Sequence, residues 1–525
     1  MNKRAAQPMA GLRRLDDLLD HACELAHDRV AAMEEGRSLT YAGLRSAVDA
    51  YACALLAAGV KRGDRVAMLA APSVDFWIAF HAAAGIGAIW LGINPRYQRR
   101  EFEHVLADSD PALVVAMSPF EGRDYCAELA ALAPAAPMVC HGEPSAGAAS
   151  LETFLARGAS VSRAELAAAR DAVDPEDPAL IVYTSGTTGR PKGAMLSHRA
   201  IVASALANRE WMGAANLESS VCAAPVNHVG AINNLCMPVL AACGRLIFHP
   251  RVDLPVLAEI SRRERPSYLV SSPTGFAMML QQPQGAADRL AYTRLIVFGG
   301  AVTPKPILEQ IARPGLELAN VYGQTETCGI ITRTLPGASL EVMSQTIGQV
   351  LPGAEMRIGQ PDGSGPAPDG VAGEIQVRGP YVMSGYFRNP EATRDAFTED
   401  GFLRTGDLGV RRADGNVVFA GRLKEMFKSG GYNVYPVEVE QAICEHPAAQ
   451  LAAVVSVSHP TFQEVGHAFV ETAPGQDVDA ETLRAFLRDR IANYKIPKGF
   501  TIAAELPKLP NGKLDKLALK QAAAG

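Results

Sequence analysis

Residues Tyr183 to Gly193 read Tyr-Thr-Ser-Gly-Thr-Thr-Gly-Arg-Pro-Lys-Gly and follow the apolar run Ala179-Leu180-Ile181-Val182. The apolar run predicts a short buried strand that opens into a loop rich in glycine and hydroxyl side chains. Glycines let backbone N–H groups approach an anion closely, hydroxyls add donors, and Lys192 adds a point charge. The stretch therefore predicts a polyphosphate-binding loop. An exposed turn, which favours the same residue types, is the alternative.

The register of this loop differs from that of the phosphate loop in the common nucleotide hydrolases. That loop needs Gly-x-x-x-x-Gly-Lys-Ser/Thr, in which the hydroxyl after the lysine binds magnesium. Here Pro191 precedes Lys192 and Gly193 follows it. The string instead resembles the signature of the adenylate-forming superfamily, which comprises acyl-CoA synthetases, luciferases and the adenylation domains of peptide synthetases.

Composition narrows the class of protein. The chain has 525 residues and a formal net charge of −6, which suits several folding units and gives no basic footprint for nucleic acid or an anionic membrane. Its nine cysteines form no Cys-x-x-Cys pair, as is typical of a reducing compartment. Met1 to Leu19 lacks the apolar core of a signal peptide, and the apolar run Ile78 to Ile93 fits a buried helix and strand. We expect a soluble, cytoplasmic protein.

Hydrophobic periodicity predicts the order of the elements. From Arg13 to Pro175 helical and strand patterns alternate, as in Tyr41–Leu56 and Arg65–Leu69, which favours a layered α/β fold with mostly parallel strands. Residues 143–174 are rich in small residues and are expected to be peripheral. Period-two alternation and Asp-Gly turns between residues 373 and 421 predict antiparallel hairpins. The remaining ~100 residues suit one small α/β unit, with a helix at Ala480–Ala492.

Further stretches match motifs of the same superfamily in the same order. They are Tyr-Gly-Gln-Thr-Glu at 322–326, Phe-Leu-Arg-Thr-Gly-Asp at 402–407, Gly-Arg-Leu-Lys at 421–424 and Pro-Lys-Leu-Pro-Asn-Gly-Lys at 507–513. Residues 224–230, Ala-Pro-Val-Asn-His-Val-Gly, resemble a segment whose histidine lies near the acyl pocket. Taken singly, a histidine, a turn aspartate or a lysine after Asn-Gly is explained by an ordinary structural role. The resemblance covers roughly residues 15–518.

The resemblance implies an α/β fold with two domains. Residues 1–421 would form a large N-terminal domain of layered α/β subdomains plus a distorted β-barrel, which binds AMP and the acyl group. Residues 422–525 would form a small, mobile α/β C-terminal domain that carries the catalytic lysine and the coenzyme A face, with its hinge near Lys424.

The resemblance also assigns roles to individual residues. ATP or AMP would be bound by Thr184, Ser185, Gly186, Thr187, Thr188, Gly189, Lys192, Gly299, Gly300, Ala301, Asn320, Tyr322, Gly323, Thr325, Asp407 and Arg422. Glu326 would hold Mg²⁺, and catalysis would rest on Lys513, His228 and Thr325. The acyl pocket would comprise His228, Val229, Ile232, Phe276, Gly323, Ile330 and Ile331, and the coenzyme A face Lys428, Ser429, Gly430 and Gly431.

The implied reaction has two halves. A carboxylate attacks the α-phosphate of ATP and gives an acyl-adenylate and pyrophosphate; a thiol then displaces AMP. Rotation about Lys424 would withdraw Lys513 after the first half and present Gly430 and Gly431 for the second. Residues 226–232 contain no carboxylate to pair an amino acid's ammonium, and their apolar neighbours favour a hydrophobic alkyl or aryl acid.

Several functions remain open at this stage. The leading hypothesis is an ATP-dependent acyl- or aryl-CoA ligase whose partners are a small carboxylic acid, ATP and coenzyme A, with no nucleic acid and no membrane span; a homodimer is left open. A ligase that loads a carrier protein and a luciferase-like adenylating oxygenase are alternatives within enzymes. A nucleotide-binding regulatory protein without chemistry is disfavoured, because Lys192, Glu326, Asp407 and Lys513 are all present.

Overall fold

The structure, a computed structural model, describes residues 9, 11–133, 135–184, 191–280, 290–300, 303–360, 365–473, 475–508 and 514–524. The strands within these residues, in chain order, are β1 (Val30–Glu34), β2 (Arg37–Thr40), β3 (Arg65–Leu69), β4 (Ile89–Ile93), β5 (Leu113–Ser118), β6 (Met138–Gly142), β7 (Ala149–Ser150), β8 (Pro178–Thr184), β9 (Lys192–Ser197), β10 (Ser219–Cys222), β11 (Arg245–Phe248), β12 (Tyr268–Ser271), β13 (Leu295–Phe298), β14 (Glu317–Gln324), β15 (Gly329–Arg333), β16 (Gln349–Val350), β17 (Glu355–Gly359), β18 (Ala372–Arg378), β19 (Gly385–Tyr386), β20 (Leu403–Arg411), β21 (Val417–Arg422), β22 (Phe427–Ser429), β23 (Tyr432–Val434), β24 (Ala449–His459), β25 (Gln463–Thr472) and β26 (Gly499–Ala503).

The α-helices within the same residues are α1 (Leu15–Ala26), α2 (Tyr41–Ala57), α3 (Val74–Gly85), α4 (Arg99–Ser109), α5 (Tyr125–Ala130), α6 (Leu151–Arg157), α7 (Arg163–Asp171), α8 (His198–Met212), α9 (Met237–Ala241), α10 (Leu254–Glu264), α11 (Pro273–Leu280), α12 (Lys305–Ile311), α13 (Leu340–Gln345), α14 (Pro390–Asp395), α15 (Pro436–Cys444), α16 (Ala480–Arg488) and α17 (Lys516–Ala524). None of the helices in the described ranges is both long and apolar enough to cross a bilayer.

Two large sheets contain the strands β1 to β16 and, in addition, β19. One has eight strands in the order β19-β9-β8-β4-β3-β5-β6-β7, and its strands β3, β4, β5, β6 and β8 run parallel. The other has nine strands in the order β16-β15-β14-β13-β12-β10-β11-β1-β2, with a parallel centre from β14 to β1. The layered, mostly parallel α/β fold predicted from the sequence is confirmed.

Each large sheet contains a strand from a distant part of the chain. Strand β1 pairs with β11 in the nine-stranded sheet, with Ala32 opposite Leu246. Strand β19 pairs with β9 in the eight-stranded sheet, with Tyr386 opposite Ala194. The second pairing brings Tyr386 next to the end of the glycine-rich loop.

Two smaller sheets follow. Strands β17, β18, β20 and β21 form an antiparallel sheet in the order β17-β18-β20-β21, where hairpins and a distorted barrel were expected. The four strands described there pair with their neighbours in the antiparallel manner that was predicted. The last sheet has five strands, in which β23, β22, β25 and β24 follow one another and β26 pairs with β25.

The core is built mainly from alternating faces of the strands. On β13, Leu295 and Val297 join the largest apolar cluster, whereas Ile296 and Phe298 join a separate one. Helix α3 is buried almost throughout, which explains why Ile78 to Ile93 is apolar without spanning a membrane. All nine cysteines are free, as the sequence suggested.

Candidate active site

The glycine-rich loop leaves the carboxyl end of a buried strand. Strand β8 pairs with β9 in an antiparallel hairpin that sets Thr184 opposite Lys192 at the base of the loop. His104 on α4 hydrogen-bonds the Pro191 carbonyl at 2.8 Å, and Tyr183 donates to Asp108 at 2.7 Å. The strand ends are therefore braced by one helix. The predicted phosphate ligands Ser185, Gly186, Thr187, Thr188 and Gly189 lie outside the described residues.

Lys192 and Glu326, which belong to different motifs, are joined by a third side chain. The Tyr386 hydroxyl donates to Glu326 Oε1 at 2.8 Å, and the Tyr386 ring centroid lies 5.2 Å from Lys192 Nζ. Burial, and then the negative charge of Glu326, raise the pKa of the Tyr386 phenol, so that it stays a donor at neutral pH. Tyr386 was not predicted from the sequence. A tyrosine after glycine carries no chemical signal of its own, and only the pairing of β19 with β9 brings it here.

The second motif lies where the parallel strands of the nine-stranded sheet end. Tyr322 is near the end of β14, and its hydroxyl donates to Asp407 Oδ2 at 2.7 Å. Arg422 lies opposite Asp407 in the β20–β21 ladder, with its Nε 3.5 Å from Asp407 Oδ1. Burial, and then the charge of Asp407, raise the pKa of Tyr322 well above its usual value. Three residues predicted from separate motifs thus form one cluster.

The neighbouring backbone is held closely. A side-chain carbon on Gly323 would lie 1.8 Å from the Gly329 carbonyl oxygen, so no larger residue fits there. Gly300 has a φ of +85°, whereas Ala301 lies outside the described residues. Thr325 is buried and opens a single 3₁₀ turn, Thr325–Thr327, that contains Glu326. This turn is therefore fixed by backbone packing.

Asn320 is buried and hydrogen-bonded within the protein. Its side-chain amide donates to the Thr346 carbonyl at 2.8 Å, and its Oδ1 accepts from Thr303 at 3.4 Å. Its backbone N–H donates to Thr334 Oγ1 at 3.0 Å. Contact of this side chain with adenine stays a prediction, and it would have to share these partners.

The predicted acyl pocket is only partly assembled in one place. Val229, Ile232, Ile330 and Ile331 are buried in the same apolar cluster, and Gly323 pairs with Ile330 across β14 and β15. Phe276 packs against Phe298 at a centroid distance of 4.8 Å, in the separate cluster on the other face of β13. The structure therefore places four of the apolar residues in the largest cluster and Phe276 in a separate one.

A π-helix follows His228 and fixes this region. It spans Gly230–Cys236, and such helices are rare and frequent at functional sites. Asn233 Nδ2 donates to the Cys328 carbonyl at 3.1 Å, and Asn234 Oδ1 accepts from the Ile330 N–H at 3.0 Å. Both asparagines thus attach the π-helix to the β14–β15 hairpin. The exposed His228 accepts from the Gly230 N–H at 3.1 Å through Nδ1.

The residues assigned to coenzyme A form a hairpin turn in the C-terminal region. Gly430 and Gly431 connect β22 to β23 with φ angles of +58° and +88°, which glycine adopts without strain. Lys428 is exposed and Ser429 is buried. Lys424 is exposed, and Lys513 lies outside the described residues.

Three aromatic side chains that were not predicted as site residues lie beside this turn. Tyr432 stacks on Tyr494 at a centroid distance of 4.8 Å, and the Phe462 carbonyl accepts from the Gly430 N–H at 3.0 Å. All three are exposed by 38% or more, which is unusual for large apolar rings. We call Tyr432, Phe462 and Tyr494 the aromatic patch.

Comparison with known proteins agrees with this geometry. The AMP-binding enzyme family matches residues 19–387, and the AMP-binding enzyme C-terminal domain matches residues 438–513. Indoleacetate–CoA ligase from Aromatoleum aromaticum is 33% identical over 97% of this chain and 98% of its own length. Feruloyl-CoA synthase from an Amycolatopsis species is 33% identical over 93% of this chain and 94% of its own.

A solved structure has the same fold over nearly the whole chain. ATP-bound MatB from Rhodopseudomonas palustris superposes with a TM-score of 0.85 at 29% identity, over 96% of this chain and 98% of its own. The chain therefore belongs to the AMP-binding enzymes of the adenylate-forming superfamily. Within that superfamily it is an acyl-CoA synthetase, an AMP-forming carboxylic acid–CoA ligase.

Proposed function

We propose that the enzyme activates a hydrophobic carboxylic acid, alkyl or aryl, as its acyl-adenylate and then transfers the acyl group to coenzyme A. The observation that carries the proposal is a pair of contacts between motifs: Tyr386 contacts both Lys192 and Glu326, and Tyr322, from the same motif as Glu326, donates to Asp407. This arrangement provides a cation for phosphate, a carboxylate for a metal ion, and an aromatic ring beside a ribose-binding carboxylate.

In the adenylation half, the chain's own groups would bind and orient ATP. Lys192 would contact the leaving pyrophosphate, and Asp407 with Arg422 would hold the ribose while adenine stacks on Tyr322. Lys513 would offset the charge that develops as the carboxylate approaches the α-phosphate. No nucleophilic side chain is needed, because the acid itself attacks.

The residues present fit a magnesium ion. Within the described part of the chain, the Glu326 carboxylate accepts one hydrogen bond, from Tyr386 to Oε1, so Oε2 is left for another partner. Mg²⁺ is commonly bound by one or two carboxylates together with substrate phosphates and water. Such a site needs no cluster of protein ligands, and among the described residues no group of three His, Cys, Asp or Glu side chains could hold a metal ion. Glu326 would hold the ion, which when bound would neutralise phosphate charge.

The hydrophobic acid is supported by the lining of the proposed pocket. Val229, Ile232 and Ile330 are buried and apolar. Asn233 Nδ2 donates to the Cys328 carbonyl and Asn234 Oδ1 accepts from the Ile330 N–H, so these two polar atoms are paired within the protein. Residues 224–236 contain no acidic or basic side chain except His228, so an ammonium on the acid would find no carboxylate in this segment, and a second carboxylate would find no cation there other than His228. Two of the relatives act, by their names, on indoleacetate and on a feruloyl group, both of which carry a ring.

Coenzyme A as the acceptor is supported by the aromatic patch. Exposed rings of Tyr432 and Tyr494 offer stacking surfaces for a nucleotide base, and Lys498 Nζ lies 5.8 Å from the Phe462 ring centroid as a nearby cation for phosphate. The Gly430–Gly431 turn beside them presents little side-chain bulk to a thin pantetheine chain.

We further propose that residues 1–421 and 422–525 are the two domains of this reaction, with Lys424 as the hinge, and that the enzyme acts in the cytoplasm. The exposed position of Lys424 supports a hinge, because its side chain can move without breaking a core contact.

The test is a panel of acids assayed for ATP-dependent pyrophosphate release, followed by acceptor choice. We expect arylacetic, arylpropenoic and medium-chain alkyl acids to give release, with coenzyme A as the acceptor. Preference for acetate or a dicarboxylate would refute the apolar pocket. Transfer to a pantetheinylated carrier protein but not to coenzyme A would identify a carrier-loading ligase instead, and ATP binding without release for any acid would refute the enzymatic proposal.

A further inference from the structure

The backbone of Tyr386 is fixed from both sides. Strand β19 pairs with β9, and the next residue, Phe387, donates its N–H to the Gly193 carbonyl at 2.8 Å. The Tyr386 N–H donates to Thr393 Oγ1 at 2.9 Å. Gly385 has a φ of +141°, and a side-chain carbon there would lie 2.7 Å from Thr393 Cγ2. The ring is therefore held by the polypeptide itself and does not depend on a ligand for its position.

The position of the ring separates two opposite charges. The hydroxyl donates to Glu326, while the ring faces the Lys192 ammonium. Lys192 and Glu326, both described residues, form no ion pair with each other. A direct ion pair would occupy the carboxylate that a cation needs and the ammonium that a phosphate needs. The ring of Tyr386 provides an attractive surface for the ammonium without neutralising it.

We propose that Tyr386 is a positioning residue that orients the Glu326 carboxylate for a divalent cation and keeps Lys192 available for the polyphosphate of ATP. The proposal rests on the proposed function, because it assumes that Glu326 and Lys192 act on Mg²⁺ and phosphate. The two parts of the side chain have separate roles. The hydroxyl orients the carboxylate for the cation, and the ring keeps Lys192 from pairing with Glu326.

Two substitutions separate these parts. Tyr386→Phe removes the hydroxyl and keeps the ring, whereas Tyr386→Leu removes both. Tyr381→Phe is the matched control, because the Tyr381 hydroxyl lies in the same stretch of chain but donates to the Pro352 carbonyl. For each protein we would measure the binding of Mn²⁺ to the enzyme–ATP complex by electron paramagnetic resonance, the binding of metal-free ATP by calorimetry, and pyrophosphate release against Mg²⁺ concentration.

Loss of an outer partner of a metal ligand usually weakens metal affinity roughly 10- to 100-fold. We therefore expect Tyr386→Phe to weaken Mn²⁺ binding and to raise the half-saturating Mg²⁺ concentration by about tenfold, with metal-free ATP binding unchanged. Tyr386→Leu should weaken both, since Lys192 can then pair with Glu326. Tyr381→Phe should match the wild type in both titrations.

Wild-type cation affinity in a folded Tyr386→Phe protein would overturn the proposal, as would an equal loss of metal-free ATP binding in that variant. If Tyr386→Leu does not fold, Tyr386→Phe decides alone. Failure of the proposed function looks different, because the wild type itself would then show no Mg²⁺-dependent pyrophosphate release with any acid.

Discussion

Asp407 is the residue whose predicted role can be tested most directly. Asp407→Asn keeps an acceptor for the Tyr322 hydroxyl but removes the negative charge that would accept from the ribose hydroxyls. Hydrogen bonds to charged groups contribute about 1.5–3 kcal/mol, so KM for ATP should rise roughly 10- to 100-fold. Steady-state pyrophosphate release at varied ATP measures this. Asp414→Asn, in the exposed turn between β20 and β21, is the control and should leave KM unchanged.

Two buried histidines predict the acid sensitivity of the fold. Burial lowers the pKa of His81 from 6.5 to about 3 and that of His198 from 6.5 to about 4. Between those values and pH 6.5 the unfolded chain binds more protons than the folded one. Each histidine therefore lowers the free energy of unfolding by up to about 1.4 kcal/mol per pH unit on acidification below pH 6.5.

The pH dependence of urea unfolding from pH 7.5 to 4.5 measures this effect. We expect His81→Leu to flatten the acid limb of the stability profile, because leucine does not titrate. The substitution breaks no hydrogen bond of the side chain, since both ring nitrogens of His81 lack a partner within the described residues. His27→Gln, an exposed substitution, should unfold like the wild type. A profile of His81→Leu parallel to that of the wild type would contradict the prediction.

The individual residues that could be predicted from the sequence are those whose chemistry is visible in a motif. Of the predicted residues, Lys192 and Glu326 share Tyr386 as a neighbour, and Tyr322, Asp407 and Arg422 form a second group. Tyr386 was not predicted, because its position depends on a strand pairing between residues 385–386 and 194–195 that no local pattern encodes. The aromatic patch was not predicted for a related reason. The exposure of a side chain depends on the tertiary structure, and from sequence alone an aromatic residue is expected in the core.

Strand β4 lies very close to the loop that contains Asn227 and His228 and precedes the π-helix, and there is no room for a side chain between them. A side-chain carbon on Gly92 would lie 2.6 Å from the Asn227 Cα, and Gly92 is buried. We expect Gly92→Ala to displace the loop, to destabilise the protein by about 1–3 kcal/mol, and to impair acid activation. Thermal unfolding and pyrophosphate release measure the two effects.

The control for that substitution is Gly43→Ala in helix α2. A carbon added at Gly43 would meet its nearest neighbour, Thr40 Oγ1, at an ordinary 3.4 Å. Alanine also favours a helix, so this variant should keep or slightly raise stability and keep full activity. Equal behaviour of the two variants would show that β4 does not constrain the loop.

Element boundaries followed the sequence where capping and periodicity agree. Helix α2 begins at Tyr41 as predicted, because Thr40 accepts from the Gly43 N–H at 3.1 Å. Helix α16 ends at Arg488, four residues before the predicted end at Ala492. Residues 143–174 are mostly exposed or half-buried and include the edge strand β7, as expected of a peripheral segment. A few contacts attach the segment to the core: Phe154 of α6 and Leu166 of α7 are buried, and a carbon on Gly158 would lie 2.9 Å from the Ala54 nitrogen of α2. Small residues there permit close packing.

For the whole molecule, the two half-reactions should depend differently on Lys513. Lys513→Ala should reduce adenylation by at least ~10²-fold, the scale of one lost preorganised charge contact. It should largely spare thioester formation from a supplied acyl-adenylate, if the C-terminal domain rotates between the halves. Rapid-quench assays of each half separate the two, and an equal loss in both would contradict the rotation.

The segment after Lys513 is attached to the residues after the proposed hinge. Lys516 Nζ lies 2.7 Å from Glu425 Oε2 and 2.9 Å from Glu440 Oε1, and burial raises the pKa of Glu440. Lys516→Met would remove the shared cation from both carboxylates, leaving Glu440 with the Val454 N–H and Glu425 with Arg422, and should cost about 2 kcal/mol of stability. Adding Glu440→Gln should recover part of the loss, as followed by thermal unfolding. No recovery would mean that the pair does not couple these segments.

The overall architecture was more predictable from motif order than from periodicity. Alternating patterns indicated parallel α/β layers, but they did not indicate two sheets of eight and nine strands. The reason is physical: β1 and β19 are short, and their partners lie about two hundred residues away in sequence. The paired sheets, and with them the contact between Tyr386 and Glu326, follow from tertiary packing.

Those two long-range pairings have a consequence for biosynthesis. A nascent chain cannot add β1 to its sheet until residues 245–248 have left the ribosome, and it cannot close the edge at β9 until residues 385–386 follow. The interlocked sheets should therefore mature late and together. A translation product stopped at residue 380 would expose the unsatisfied edge of β9 and would be prone to aggregate.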